Sequence, residues 1–449
     1  MEIGATLTAL AHMLQELHKP LAYLIFVLGI PLVPLLLVWF QDDRPSPRAR
    51  RVAWGAIVVY GATYGVVMAS GVAHPPEWDL PISWFNGYVA AHGLNFYDPE
   101  NYRRLSGALP LTPALISFVI SVGFHFPPPT IFLFLPLGFL GIKTASVLWY
   151  VVMSGVIALD VGLLARLFLG GTASGRLLAA ALLLLLRPAM ATVWFGQTNF
   201  FVVLMLLLFW RDRATLRGGA WIALGLLIKP VVAVLLLYAV IARRWRAIVG
   251  TGVVLAVLSA LTIAVFGWDT FATYFGHNPV QRMPAEAYTE SINQSLLATV
   301  LRLTGYDFSH RSPLLCPPFV FLVASLTATT TWLVHRASTS GDDDLALALT
   351  IPFGLLVYPG TLAHYSVDLI LPFLLLWSRR RTLPWGPTGV IAFLTVEYAI
   401  INVSVELAII GNTVAWLGVA AVQTSRQWGP ESAARATASA RPPAAHPSS

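Results

Sequence analysis

The sequence predicts an all-α polytopic membrane protein, and three observations support this. Hydrophobic residues make up 57% of the 449-residue chain and charged residues 11%, whereas soluble globular proteins carry about 25% charged residues. Apolar runs near the roughly 20 residues that a helix needs to cross a bilayer repeat along the chain, and we expect about 11 to 13 transmembrane helices. Lipid also favours helices, because their backbone hydrogen bonds close within one segment.

The distribution of charge predicts topology. The chain carries a net charge of +7, but its arginines lie at the ends of apolar runs, so we expect no nucleic-acid partner. The positive-inside rule places arginine-rich turns in the cytoplasm. These turns contain Arg48, Arg50 and Arg51; Arg211, Arg213 and Arg217; Arg243, Arg244 and Arg246; and Arg379, Arg380 and Arg381. Cys316 is the single cysteine, which excludes intramolecular disulfides and Cys-rich metal sites.

Composition divides the chain into three parts. Residues 1–51 form an extra N-terminal span and a basic turn, and residues 52–425 form the main transmembrane domain. Residues 426–449 are rich in Ser, Ala, Pro and Arg, and we expect them to be disordered and cytoplasmic. The main domain contains two long external loops, residues 74–130 and 268–313.

Several breaks in the apolar pattern predict turns within or near the membrane. The first span is residues 21–40, and the stretch 131–142 is short enough to be re-entrant or interfacial. Residues 196–199 form an external turn. The segment 218–242 turns near Lys229 and Pro230, because proline ends a helix, and a later hairpin turns at residues 358–366.

The first external loop stands out for its acidity. Residues 74–102 hold Glu77, Asp79, Asp98 and Glu100, four of only 21 acidic residues in the chain. The preceding span runs outward from a basic turn, so we expect the loop on the extracytosolic side. Asp79 is the first candidate for chemistry; the alternative is that it caps the following helix. The other three carboxylates also read as solvated loop charges.

We predict an interfacial helix at residues 82–92. Trp84, Phe85 and Tyr88 would then lie at headgroup depth. The alternative is that these aromatic rings form a platform for a sugar.

Further polar residues fall on the same predicted side, next to helices that are short for a full crossing. Such helices leave a water-accessible cavity in which polar groups are tolerated. Lys229 is costly in its apolar segment unless it meets an anion or a carboxylate. The others have structural alternatives: joining helices (Gln197, Asn199), capping a helix (Asn293, Gln294, Ser295), or shaping a hairpin turn (His364).

These residues resemble landmarks of glycosyltransferase family 87, the polyprenyl-phosphate-mannose-dependent mannosyltransferases of the GT-C class. The resemblance runs from about residue 52 to 377 and leaves the span 21–40 outside. Its motifs, in order, are Asp79 before an aromatic helix, Gly93-Leu94-Asn95-Phe96-Tyr97-Asp98-Pro99, Phe126–Pro129 before Pro136-Leu137-Gly138, Gly196-Gln197 and Asn199, Ile228-Lys229-Pro230, Asn293-Gln294-Ser295-Leu296, and His364-Tyr365 before Leu371-Pro372.

The resemblance implies a GT-C-type bundle that transfers a hexose, with mannose expected, from a lipid-linked phosphate donor. It implies an inverting reaction in which Asp79 is the general base. A cation should face the departing phosphate: Lys229 first, with Arg282 or Arg302 as alternatives. His364 would bind the donor phosphate or support the base. The remaining expected substrate-binding residues are Gln197, Asn199, Asn293, Gln294, Ser295, Trp84, Tyr97 and Asp98.

The expected partners are a polyprenyl-phosphate-sugar donor, membrane lipids, and an acceptor that is a glycolipid, a polysaccharide, a lipoglycan or a protein. We expect no obligatory cofactor, although the four clustered carboxylates leave a Ca²⁺ or Mg²⁺ site as an alternative. The expected location is the cytoplasmic membrane of a bacterium, with the active site outside. The competing interpretation is a secondary transporter or lipid-linked sugar flippase, but transporters tend to show repeated halves and a midplane site, and neither is evident in the sequence.

Overall fold

The computed structural model describes residues 24–42, 44–73, 79–107, 109, 111–276, 285–308 and 312–425. Within these residues the chain forms helices and short 3₁₀ turns and no β-strand, which confirms the all-α prediction. The predicted tail at 426–449 and residues 21–23 of the first predicted span, 21–40, lie outside the described residues. The helices are α1 (Leu32–Trp39), α2 (Pro47–Ala73), α3 (Asp79–Ala91), α4 (Pro99–Ser106), α5 (Pro113–Val122), α6 (Ile131–Gly138), α7 (Ile142–Phe168), α8 (Ala173–Leu184), α9 (Arg187–Phe195), α10 (Asn199–Asp212), α11 (Leu216–Ile228), α12 (Val234–Ile241), α13 (Trp245–Phe266), α14 (Trp268–Gly276), α15 (Leu296–Thr304), α16 (Pro317–Thr339), α17 (Asp343–Val357), α18 (Ile370–Ser378), α19 (Gly386–Val403) and α20 (Ala408–Ser425).

Six helices in the described part of the chain are long and apolar enough to cross a membrane: α2, α7, α13, α16, α19 and the stretch Val405–Ser425 that contains α20. The pair α8 and α9, bent by 68° at its break, makes a seventh if it is one span. These spans confirm a multi-pass membrane protein. The expectation of about 11 to 13 crossings also counted shorter apolar helices, such as α11, as crossings.

One end of the bundle is held together by ion pairs between arginine-rich turns and the start of α17. Asp342 pairs with Arg379 at 2.6 Å, and Asp343 pairs with Arg244. Asp344 accepts from Arg213 at 2.9 Å and from Arg379 at 3.2 Å. Three arginine-rich turns, remote in sequence, therefore meet at one end, which we call the basic end.

Two hairpins rise from the basic end and turn at the opposite side. Helix α11 ends at Ile228, and after Lys229 a 3₁₀ turn, Pro230–Ala233, leads back through α12. Pro230 has no N–H to continue the helix, so the turn falls there. Helix α17 likewise leads to Tyr358, and the 3₁₀ turn Ala363–Leu369 leads back through α18. Both turns lie where the sequence predicts them.

Helix α3 packs closely on α6, and two glycines make this approach possible. A Cβ on Gly87 would lie 2.2 Å from the Phe134 carbonyl oxygen, and a Cβ on Gly138 would lie 2.1 Å from Gly87. The indole N–H of Trp84 donates to the Leu140 carbonyl at 2.9 Å. The contact fixes the start of α3, and with it Asp79, against the transmembrane helices.

This packing corrects two expectations about the loop helix. The helix begins at Asp79 rather than at residue 82, and Trp84 and Phe85 are 2% and 0% exposed. Their rings pack inside the protein because the glycines let the helices close over them, so they are not exposed to lipid headgroups. Trp84 also lies roughly 140° around the helix from Asp79, so it does not form a sugar platform beside that residue.

Candidate active site

Asp79, Gln197 and Lys229 come together at the end of the bundle opposite the basic end. Lys229 Nζ donates to Gln197 Oε1 at 3.0 Å. The Gln197 side chain also faces the Asp79 carboxylate, where the polar interaction between them opposes the rise in the pKa of Asp79. Because its oxygen accepts from the lysine, its amide nitrogen is the atom left to donate to the carboxylate. A carboxylate and a cation are thus held on the two sides of one amide.

Each of these three residues is placed by a turn. Asp79 lies in the first turn of α3, where negative charge is stabilised by the helix dipole. Gln197 follows Gly196, which ends α9 with φ +66°, a conformation that favours glycine. Lys229 lies at the break between α11 and the 3₁₀ turn. Three separate segments therefore converge here.

Lys229 is buried, with 3% of its surface exposed, and it is stabilised by more than the amide. Its Nζ lies 3.5 Å from the centroid of the Tyr365 ring, a cation–π contact. It also interacts electrostatically with Asp79 and Asp368. A buried charge without such partners would be strongly unfavourable, and the two carboxylates and the ring offset part of the cost of burying the ammonium group.

Two further residues belong to the site: Tyr365, which the sequence analysis names only as part of a motif and without a role, and Asp368, which it does not name. They lie three residues apart on the 3₁₀ turn Ala363–Leu369, and side chains at this spacing share one face of a 3₁₀ helix. Asp368 is 4% exposed. The signal in the sequence for Asp368 is an acidic residue at the edge of an apolar stretch.

His364 lies beside this group, as the resemblance implies. Its ring centroid is 5.1 Å from that of Tyr365 and 5.7 Å from that of Phe195. The side chain is 2% exposed, and neither ring nitrogen hydrogen-bonds to any residue that the structure describes. Asn199 donates to the His364 carbonyl at 3.0 Å and to Thr192 at 2.9 Å, so this amide fixes the turn that carries His364.

The late-loop candidates also form hydrogen bonds with other parts of the protein. Asn293 donates to the Pro359 carbonyl at 3.1 Å, and the Gln294 N–H donates to the Thr361 carbonyl at 2.7 Å. Ser295 caps α15 through the Ala298 N–H at 3.1 Å. Arg302 donates to the carbonyl of Asn293 at 2.9 Å. The contacts of Asn293 and Gln294 hold the late loop against the α17–α18 turn.

Two further candidates, Tyr97 and Asp98 of the first loop, have structural roles. A third candidate, Arg282 of the late loop, lies outside the described residues. The Tyr97 hydroxyl donates to the Phe126 carbonyl at 2.6 Å. Asp98 caps α4, accepting from the Glu100 N–H at 3.0 Å. Arg282 and also Glu77 fall in segments that the structure does not describe. Among the described residues, no three His, Cys, Asp or Glu side chains come together as a metal site would require.

The environment of Asp79 makes it a stronger base than an ordinary carboxylate. Burial raises its pKa, while the polar interaction with Gln197 and the positive charge of Lys229 oppose the rise. The net shift is upward. Since a general base works best when its pKa approaches the working pH, Asp79 is suited to accept a proton from a bound hydroxyl.

The fold and the site together define a class: an integral membrane enzyme with a base and a buried cation at one end of a helical bundle. A family model described as glycosyltransferase family 87 matches residues 124–359, just over half of the chain. The protein belongs to this family and is therefore a glycosyltransferase, which decides against the transporter interpretation. The matched segment contains Gln197 and Lys229, whereas Asp79 and His364 lie outside it.

Two characterised relatives show the same relationship. The chain is 27% identical over 373 residues, 76% of its length and 81% of the relative's, to a polyprenol-phosphate-mannose-dependent alpha-(1-2)-phosphatidylinositol mannoside mannosyltransferase of Mycobacterium tuberculosis. It is 27% identical over 320 residues, 67% of its length and 75% of the relative's, to a polyprenol-phosphate-mannose-dependent alpha-(1-2)-phosphatidylinositol pentamannoside mannosyltransferase of Mycolicibacterium smegmatis. No solved structure matches the chain significantly.

Proposed function

We propose that this protein transfers mannose from a polyprenyl-phosphate-mannose donor to a hydroxyl group of a glycolipid acceptor, with inversion at the sugar carbon. The names of both relatives support the donor and the acceptor class. The observation that carries the mechanism is the bridge made by Gln197, which holds the carboxylate of Asp79 and the ammonium of Lys229 in one site.

In the proposed reaction the acceptor oxygen attacks the anomeric carbon of mannose. The bond from that carbon to the new oxygen forms, and the bond to the phosphate oxygen breaks. The electron pair of the broken bond leaves with polyprenyl phosphate, and the hydroxyl proton passes to Asp79. A correctly placed general base contributes about 10²–10⁴-fold to such a step.

Lys229 stabilises the phosphate that leaves. The charge on this group grows as the glycosidic bond breaks, and a fixed cation in surroundings that exclude water is most effective against developing charge. Because Lys229 is already buried and held by Tyr365 and Gln197, little reorganisation is needed during the reaction. We assign His364, packed against Tyr365, to the donor side of the site.

The proposed active site faces the extracytosolic side of the cytoplasmic membrane of a bacterium. The turns that carry Lys229 and Tyr365 lie at the far ends of hairpins that begin at the basic end. Arginine-rich turns remain in the cytoplasm, so the opposite end faces outward. A lipid-linked donor fits this position, since its chain stays in the bilayer while its phosphate and sugar lie at the boundary with water.

The direct test is sugar transfer by the purified protein in lipid nanodiscs. Radiolabelled polyprenyl-phosphate-mannose and a phosphatidylinositol mannoside are supplied, and labelled product is separated by thin-layer chromatography. We expect a product larger by one hexose. If the protein moves a solute across liposomes and transfers no sugar, the proposal is wrong. Lipid analysis of a deletion strain, with a missing sugar and an accumulating precursor, identifies the natural acceptor.

A further inference from the structure

A cavity lies at the basic end, at the opposite end of the bundle from the proposed active site, and the mechanism above does not use it. It has a volume of about 410 Å³ and is lined by Asp212, Thr215, Leu216, Arg217 and Arg246. Two segments that are separate in sequence form its wall: the connection from α10 into α11, and the first turn of α13. We call it the basic cavity.

The two helices that carry the arginines of the basic cavity are fixed against each other. A Cβ on Gly219 of α11 would lie 2.0 Å from the Ala247 carbonyl oxygen, and a Cβ on Gly250 of α13 would lie 2.2 Å from the Leu216 carbonyl oxygen. The Thr251 hydroxyl donates to the Gly219 carbonyl at 3.1 Å. Because the helices touch through their backbones close to their first turns, the wall of the cavity is already formed without a ligand.

The positive charge of the basic cavity is not neutralised by the protein. Asp212 supplies a carboxylate to the wall, but Arg211 already donates to its two oxygens, at 2.9 and 2.7 Å, and the Trp221 indole donates to it at 2.9 Å. Arg217 and Arg246 are exposed, and neither forms an ion pair with a residue that the structure describes. Two guanidinium groups therefore remain for an anion from outside the protein.

Apolar side chains beside the basic cavity place it at the membrane surface. Helix α13 begins at Trp245 and is long and apolar enough to cross the membrane, so its first turn lies close to the boundary with water. Trp245, the neighbour of Arg246, is 58% exposed, and Leu216 in the cavity wall is 55% exposed. Tryptophan is enriched at headgroup level. The two arginines thus lie at the depth of the lipid phosphates.

We infer that the basic cavity binds the phosphate group of an anionic phospholipid, with Arg217 and Arg246 on the phosphate oxygens and the acyl chains beside Leu216 and Trp245. Guanidinium groups suit this ligand because their paired N–H donors match phosphate oxygens, and basic pockets between transmembrane helices bind anionic headgroups. A free phosphate ester offers the same anion but leaves the exposed apolar side chains without a partner. The site is independent of the proposed sugar transfer.

The test is native mass spectrometry of the full-length protein in a neutral detergent, with phosphatidylglycerol and phosphatidylcholine of the same acyl chains as probes. We expect phosphatidylglycerol to bind more tightly than phosphatidylcholine. From the contribution of one basic residue at a membrane surface, Arg246→Gln should weaken phosphatidylglycerol binding about fivefold, and Arg217→Gln/Arg246→Gln about 30-fold. Glycerol 1-phosphate, a phosphate ester without acyl chains, should not displace the lipid at equal concentration.

Arg48→Gln/Arg51→Gln is the matched control, since it removes two exposed arginines from the start of another transmembrane helix, α2. It should bind phosphatidylglycerol as the wild type does. The inference is overturned if both double variants lose the same affinity, if phosphatidylcholine binds as tightly as phosphatidylglycerol, or if glycerol 1-phosphate competes as well as the lipid. If the double variant of the basic cavity unfolds in a thermal scan, Arg246→Gln is compared with Arg48→Gln, and equal affinities of these two variants overturn the inference.

Discussion

Gln197 Oε1 accepts a hydrogen bond from Lys229 Nζ at 3.0 Å, and the same side chain faces the carboxylate of Asp79. One neutral amide therefore lies between the proposed base and the proposed phosphate-binding cation. It also keeps the two charges from closing into a direct ion pair, in which the carboxylate would be a weaker base.

The first prediction concerns the base. Asp79→Asn removes the proton acceptor while keeping the size of the side chain, and it should lower kcat about 10²–10⁴-fold. Asp98→Asn makes the same chemical change on the same loop, and asparagine also caps helices well, so transfer should stay at the wild-type level. Labelled product measured in nanodiscs checks both variants. Full activity of Asp79→Asn would eliminate the general-base role.

The second prediction concerns pH. Asp79 must be ionised to accept a proton, and burial raises its pKa above the ordinary value of about 3.9. Activity should therefore be present above the raised pKa and be lost as the pH falls through it, at a pH above about 4. Lys229→Met removes a charge that lowers this pKa, so the midpoint of the acid limb should move to higher pH.

The pH profile of kcat/KM for wild type, Lys229→Met and Asp98→Asn gives these midpoints. Asp98→Asn should share the wild-type midpoint. A midpoint near 4 in the wild type, or a downward shift in Lys229→Met, would contradict this account of the site.

The third prediction concerns the bridging amide. Gln197→Ala leaves both charged groups without their shared partner, and hydrogen bonds to charged groups contribute about 1.5–3 kcal/mol each. We expect kcat/KM to fall about 10- to 100-fold, since 1.4 kcal/mol corresponds to one factor of ten. Gln197→Glu should fall further, because a second carboxylate would raise the pKa of Asp79 and compete for Lys229. A Gln197→Glu variant more active than Gln197→Ala would count against the bridge.

The fourth prediction concerns the packing of α3 on α6. Gly138→Ala places a methyl group 2.1 Å from the backbone of Gly87, so the helices must separate, at a typical cost of about 1–3 kcal/mol. Both the melting temperature in detergent and the transfer rate should fall, because α3 carries Asp79. Gly155→Ala on α7 meets nothing within 4 Å and should be neutral. Equal melting temperatures for the two variants would show that the close contact does not position Asp79.

The fifth prediction concerns sidedness. In a Cys316→Ala background, cysteines replace two exposed residues: Arg104 on α4 and Ala214 in an arginine-rich turn. In intact cells a membrane-impermeant maleimide should label the variant Arg104→Cys, because the proposed topology places the first loop outside. It should leave Ala214→Cys unlabelled until the membrane is permeabilised. The reverse pattern would place the active site in the cytoplasm.

The turns of this fold were predictable from local chemistry. Proline after Lys229 prevents the helix from continuing, and the polar stretch at residues 358–366 sits poorly in an apolar helix. Arginines at the ends of apolar runs then indicated which turns belong together, and their ion pairs with Asp342–Asp344 at the basic end agree with that grouping. The predicted topology placed Gln197 and Lys229 on the same side of the membrane. It did not predict the hydrogen bond between their side chains.

The roles of several polar residues were not predictable, because their partners are distant in sequence. From the sequence alone, Asn293 is a candidate to bind a sugar. In the structure its side chain donates to the Pro359 carbonyl, 66 residues later, at 3.1 Å. The backbone groups of irregular turns need hydrogen-bond partners, and no local sequence pattern predicts which distant side chain supplies them. Trp84 was misplaced for a related reason: Gly87 and Gly138 open the space that buries its ring, and the second glycine belongs to another helix.

The aspartates at the start of α17 fix one end of this helix, so the length of α17 sets the position of the residue that follows it. Asp343 is fixed at the basic end by Arg244, and α17 spans 15 residues to Val357, roughly 22 Å at 1.5 Å per residue. Inserting one residue would move Tyr358 by about 1.5 Å and turn it by about 100°. The number of residues in α17 therefore sets how far Tyr358 lies from the ion pairs of the basic end, whichever apolar side chains the helix carries between them.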